Sequence, residues 1–200
     1  LSNTEDGLNG FDNRALDGIT RGQYQYPNGL YFGGHGPSWS RQWLESRKQS
    51  PLFQKAQRIA VIDLHTGLGP YGYGEVISDH PQNTAGFELA RQWYGANAMS
   101  SALGESISAP KIGLLDYFWH RLMGERGSFV TLEFGTYTAD AMLHALIDEQ
   151  RYYRQCRDGQ LKRDLTQTNV AALRDFFYPQ DRNWQQSVLL RARQVVSLAL

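Results

Sequence analysis

The sequence has 200 residues, a length that suits one domain and is short for two. Twenty basic residues balance twenty acidic ones, so no net charge favours nucleic acid, and no basic run marks a local binding patch. No apolar stretch approaches the roughly 20 residues that span a bilayer. Cys156 is the sole cysteine, which excludes intramolecular disulfides and cysteine-cluster metal sites. We therefore expect a cytoplasmic protein with a single domain over residues 1–200 and no nucleic-acid or membrane partner.

Patterns typical of helices and strands alternate along the chain. A short amphipathic stretch at 42–48 precedes an apolar, β-branched run at 58–64, and helical spacing follows at 87–98 and 112–123. A second apolar run at 128–134 has the composition of a strand, and both runs are typical of strands covered on both faces. Thr138 and Asp181 are placed to cap two further helices, the first reaching about residue 153. The pattern predicts a layered α/β fold. A covered parallel sheet usually has about five or six strands, so further strands are unrecognised or outside the chain.

A histidine stands where the first predicted strand meets a glycine-rich segment. The period of a strand puts Asp63 and His65 on the same face, where two polar groups are costly to bury without a purpose. Ligands bind at the C-terminal ends of strands in open α/β sheets, so His65 is a candidate ligand-binding residue. The alternative is a histidine that only makes a hydrogen bond at a strand end.

Glu133 closes the second predicted strand at its loop-facing end. If the two strands are parallel and near neighbours, His65 and Glu133 project toward one pocket. A histidine and a carboxylate that converge in this way suit metal-assisted hydrolysis, with the glutamate as general base. The alternative is a carboxylate that caps a loop or pairs with an arginine.

The glycines after His65 also match a nucleotide-binding pattern. Gly67, Gly69 and Gly72 fit G-x-G-x-x-G directly after a strand. That motif needs a following helix, whose N-terminus holds the pyrophosphate. Residues 73–81 have no amphipathic turn, and Pro70 removes an amide from the loop. The sequence therefore disfavours nucleotide binding.

The two polar motifs carry a family resemblance. Asp-Leu-His-Thr-Gly-Leu-Gly-Pro from Asp63 and Leu-Glu-Phe-Gly-Thr from Leu132 resemble an uncharacterised, largely bacterial family of the zinc carboxypeptidase superfamily. That superfamily also contains carboxypeptidase A, aspartoacylase and succinylglutamate desuccinylase. The resemblance extends to residues 22–24, 27–34, 37–40, 173–178 and Trp184. It implies a three-layer α/β/α sheet of the zinc-carboxypeptidase type, of which this chain is the C-terminal portion, incomplete at the N-terminus.

The resemblance also implies roles for individual residues. His65 matches the third zinc ligand, Glu133 the general base that activates a zinc-bound water, and Asp63 a residue beside the ligand. The first two ligands belong to an H-x-x-E motif, and no histidine of this chain is followed by glutamate three residues later. Because a catalytic zinc typically has three protein ligands, the resemblance places the other two upstream. Asn13 and Arg14 look like the superfamily's substrate-carboxylate clamp, but we interpret this match as coincidental.

The sequence thus leads to a zinc-dependent hydrolase of amide bonds, similar to metallocarboxypeptidases or N-acyl amino acid deacylases. Its substrate would be a small peptide or an acyl-amino acid. Tyr71 and Glu75, in and beside the glycine-rich segment, are assigned to substrate binding. The alternative is a non-enzymatic binding domain that retains the fold without metal.

Overall fold

The computed structural model describes residues 22–95, 98–107 and 113–200. Asn13 and Arg14 lie outside these residues. None of the described helices is both long enough and apolar enough to cross a membrane. The helices and strands follow one another as α1 (Trp39–Arg47), α2 (Pro51–Lys55), β1 (Ile59–Tyr71), β2 (Gly74–Ser78), α3 (Ala85–Tyr94), β3 (Ala98–Ser100), α4 (Asp116–Met123), β4 (Gly127–Gly135), α5 (Ala139–Arg157), α6 (Thr168–Phe177) and α7 (Arg182–Leu198).

The strands form a mixed sheet in the order β1-β4-β2-β3. β4 runs parallel to β1 and antiparallel to β2, while β3 runs parallel to β2. The predicted α/β class is confirmed. Strands β2 and β3, which together form one side of the sheet, were not predicted from the sequence.

Helices pack on both faces of the sheet. On one face, alternate residues of β4 meet α3 and α7 in the larger apolar cluster, whose buried members are Val76, Ala90, Tyr94, Ala98, Val130, Leu132, Phe134, Trp184 and Val195. On the other face, Met123 of α4 packs against Ile59 and Phe129. Both residues lie in the first half of their strands, so α4 covers the sheet there. Asp63, His65 and Glu133 follow on the same face, farther toward the C-terminal ends of β1 and β4.

The two predicted strands differ in their burial. β4 is central and is buried along nearly its whole length, which confirms that it is covered on both faces. The same prediction is wrong for β1, an edge strand in the described sheet, where Ala60, Leu64 and His65 are exposed. β1 also continues to Tyr71, so most of the glycine-rich segment predicted as a loop belongs to a strand. A register shift between Gly67 and Tyr71 marks the irregular part of the pairing.

The predicted helix caps are confirmed. The Ala141 N–H donates to Thr138 Oγ1 at 3.3 Å, and the Asn183 N–H donates to Asp181 Oδ1 at 2.9 Å. Each bond satisfies one of the free N–H groups in the first turn of its helix. The predicted helix at 87–98 is too long, because α3 ends at Tyr94 and Ala98 begins β3. Helices α2 and α6 were not predicted.

Candidate active site

His65 and Glu133 lie side by side on neighbouring strands. They are register partners in the parallel β1–β4 pair, both toward the C-terminal ends of their strands. His65 Nδ1 is 3.8 Å from Glu133 Oε2. The two strands are therefore parallel and adjacent. The sequence predicted that the imidazole and the carboxylate would lie close together in this case.

Asp63 binds the other nitrogen of the His65 ring. Its Oδ2 is 3.1 Å from His65 Nε2, and the two residues share one face of β1. A carboxylate at this position favours the proton on Nε2, so the lone pair of the neutral ring is at Nδ1, on the side of Glu133. Zinc-ligating histidines commonly have such a carboxylate on their second nitrogen. His65 is half-exposed, so the ring remains accessible from solvent.

Glu133 is buried and held by the backbone of β1. The Leu68 N–H donates to its Oε1 at 3.1 Å. This bond leaves Oε2 as the carboxylate oxygen nearest the imidazole. The irregular end of β1 thus contributes a backbone hydrogen bond to the Glu133 carboxylate.

The ends of β1 and β4 approach each other too closely for any side chain at Gly135. A Cβ atom there would lie 2.1 Å from the Pro70 carbonyl oxygen and 2.3 Å from that of Gly69. The indole Nε1–H of buried Trp184 donates to the Gly135 carbonyl oxygen at 2.9 Å. These contacts anchor the strand end that carries Glu133 to α7.

Glu75 occupies the position across β4 from His65. It is the register partner of Glu133 in the antiparallel β2–β4 pair, so His65, Glu133 and Glu75 form one row across three strands. Glu75 is buried, and the Ile107 N–H lies 3.4 Å from each of its carboxylate oxygens. Burial raises the pKa of Glu75, and the nearby Glu133 raises it further, while bonds from Ile107 and Ser106 oppose the change.

Tyr71 stands at the far end of β1, on the rim of the row. Its hydroxyl donates to Asp181 Oδ2 at 3.1 Å, and its ring lies 5.9 Å from that of Tyr137. The Tyr137 hydroxyl in turn donates to Asp175 Oδ2 at 3.0 Å. Desolvation and the bond to Asp181 raise the pKa of Tyr71 to about 12, so it is a neutral hydrogen-bonding group at physiological pH. Tyr137 was not predicted as a site residue, although it follows Glu133 closely in the chain.

The family described as Protein of unknown function (DUF2817) matches residues 5–191, nearly the whole chain. The chain belongs to the DUF2817 family. No curated protein and no solved structure matches it.

The described part of this DUF2817 chain was tested for residues that could hold the zinc ion that the resemblance implies. Neutral imidazole is a common zinc ligand, and the Asp63–His65 pair has the chemistry of a ligand with its supporting carboxylate. Among the residues that the structure describes, no group of three His, Cys, Asp or Glu side chains could hold a metal ion. The residues therefore fit a single zinc ligand, and a complete site needs ligands from elsewhere.

Two other histidines of this DUF2817 chain lie away from the row. The His80 and His120 rings stack at 3.7 Å, and the Phe129 N–H donates to His80 Nε2 at 3.0 Å. Phe129 is near the start of β4, whereas Glu133 is near its end. Burial lowers the pKa of His80 to about 3, so this histidine is a neutral acceptor within the core.

Proposed function

We propose that this chain carries part of the active site of a zinc-dependent hydrolase of amide bonds, of the zinc carboxypeptidase superfamily. The observation that supports this most strongly is the pairing of His65 with Glu133 at the ends of two adjacent parallel strands. The resemblance of the segments around these residues to that superfamily supports the same reaction and a three-layer α/β/α fold of its type.

The proposal gives His65 and Glu133 different tasks. His65 would bind zinc through Nδ1 while Asp63 holds the ring at Nε2. Zinc, when bound, polarises the carbonyl group under attack and helps water to lose a proton. Glu133 Oε2 would accept that proton and deliver it to the leaving nitrogen, as a general base and then a general acid.

The remaining zinc ligands are proposed to come from an H-x-x-E segment outside these 200 residues, because no histidine here is followed by glutamate three residues later. Two more protein ligands would complete the three that a catalytic zinc typically has. The exposed side of His65 leaves room for such a segment to approach. The substrate would be a small peptide or an N-acyl amino acid, with Tyr71 at the rim of its pocket.

The test is the zinc content of the full-length protein and of its His65→Ala variant. We expect about one zinc per chain in the parent and loss of zinc in the variant. His144→Ala is the matched control, because His144 is exposed on α5 and should not affect binding. Zinc retained by His65→Ala would contradict the proposed ligand. A folded parent that neither binds zinc nor hydrolyses amides would instead favour a metal-free binding domain.

A further inference from the structure

A second acid lies beside Glu133, on the side opposite His65. Register partners in an antiparallel pair have Cβ atoms about 4.5–5.5 Å apart, and Glu75 and Glu133 are such partners. Both are buried, with 6% and 7% of their surface exposed. Two ionised carboxylates so close in a buried position repel each other strongly, so such a pair tends to share one proton.

The partners of the two acids indicate which one holds the proton. Glu133 accepts the Leu68 N–H at 3.1 Å and faces the His65 ring at 3.8 Å. Glu75 has weaker partners, namely the long contacts from the Ile107 N–H and a bond from Ser106. No Lys or Arg in the described part of the chain forms an ion pair with Glu75. Glu133 is the charged group that faces it, from β4.

We propose that Glu75 is a positioning residue that stays protonated beside Glu133 at neutral pH. In this state the row carries one negative charge next to the imidazole, and Glu75 supports Glu133 from β2 without a second charge. The positioning role of Glu75 rests on the proposed hydrolase function, whereas the protonation state of Glu75 is independent of that function. Burial and the neighbouring carboxylate both raise the pKa of Glu75, in agreement with this assignment.

The proton of Glu75 is tested by thermal unfolding as a function of pH, which requires no substrate. A raised pKa means that the folded state keeps a proton that the unfolded state releases. Wild-type stability therefore falls as the pH rises from the ordinary value of 4.5 toward the folded value. Glu75→Gln carries no such proton, so its Tm should equal that of wild type near pH 4 and exceed it by about 7 °C or more at pH 8.

Glu88→Gln is the matched control, because Glu88 is exposed on α3. Its Tm should follow that of wild type across the whole pH range. If the Tm of Glu75→Gln also follows that of wild type across the pH range, the proposal that Glu75 is protonated is overturned.

The positioning role is tested by the kinetics of the zinc-loaded full-length protein on an N-acylated dipeptide. Glutamine resembles a protonated glutamate, so Glu75→Gln should keep kcat within about threefold, whereas Glu75→Leu should lower it at least about tenfold with KM nearly unchanged. A wild-type kcat in Glu75→Leu, or an equal loss in Glu75→Gln, would overturn the role. A wild type that fails to cleave the dipeptide counts against the hydrolase proposal, and the unfolding curves still decide the proton of Glu75.

Discussion

Single ionisable residues show how burial sets their charge in this protein. Asp116, at the start of α4, is 1% exposed, and its carboxylate lies 3.7 Å from His120 Nε2. Burial and the nearby Asp79 raise the pKa of Asp116 to about 6. This group therefore binds a proton more tightly in the folded chain than in the unfolded one.

The Asp116→Asn variant should be more stable than wild type at neutral pH. The raised pKa means that wild-type stability is lost as the pH rises from 3.8 to about 6, and asparagine avoids this loss. We expect a gain of about 2 kcal/mol in the free energy of unfolding at pH 7.5 and none at pH 3.5. Urea titrations at the two pH values measure it. Asp148→Asn, on the exposed side of α5, is the control and should show no such dependence.

For single residues, the sequence predicts the face of a strand on which a side chain lies better than it predicts the contacts of that side chain across the sheet. The alternation along a strand correctly placed Asp63 and His65 on one face. Glu75 was selected for substrate binding, but its position beside Glu133 could not be predicted, because that position depends on the pairing of β2 with β4. Which strands pair depends on contacts between segments that are distant in the chain, so the local sequence of either strand does not reveal it.

Among the elements, the ends of β1 and β4 make the contact that tolerates an added side chain least. Gly135 lies against the Gly69 and Pro70 carbonyl groups, where a methyl group would overlap backbone atoms. Backbone cannot move aside as the end of a flexible side chain can. The sequence shows a glycine after each predicted strand, but it does not show that these strand ends touch.

A Gly135→Ala substitution should destabilise the protein by about 2–3 kcal/mol, because the added methyl group forces the two strands apart. The midpoint of chemical unfolding measures the loss. Gly36→Ala is the matched control, since a Cβ atom at Gly36 meets nothing within 4 Å. Equal midpoints for the two variants would show that β1 and β4 do not approach each other in this way.

The elements that were missed are short or rely on distant partners. β2 has five residues and β3 has three, and periodicity over so few residues does not distinguish a strand from a loop. β4 was predicted nearly to its ends, because its apolar run is long and buried on both faces. β1 has a similar apolar run but is an edge strand, and the run itself does not show which strands pair with it.

In the whole molecule, the sheet order brings the row together. β4 inserts between β1 and β2, so Glu133 gains His65 on one side and Glu75 on the other. Trp184 of α7 secures the end of β4 from the opposite face of the sheet. The class of fold follows from alternating strand and helix patterns. The strand order does not, since it is determined by packing between segments far apart in the chain.

The central claim is that Glu133 is the general base of an amide hydrolase. Its most direct test is the rate at which the zinc-loaded full-length protein and its Glu133→Gln variant hydrolyse N-acylated dipeptides and N-acetyl amino acids. We predict that the parent cleaves one of these substrates and that the variant, with unchanged zinc content, is at least about 1000-fold slower. Hydrolysis by Glu133→Gln at the parent's rate would contradict the claim.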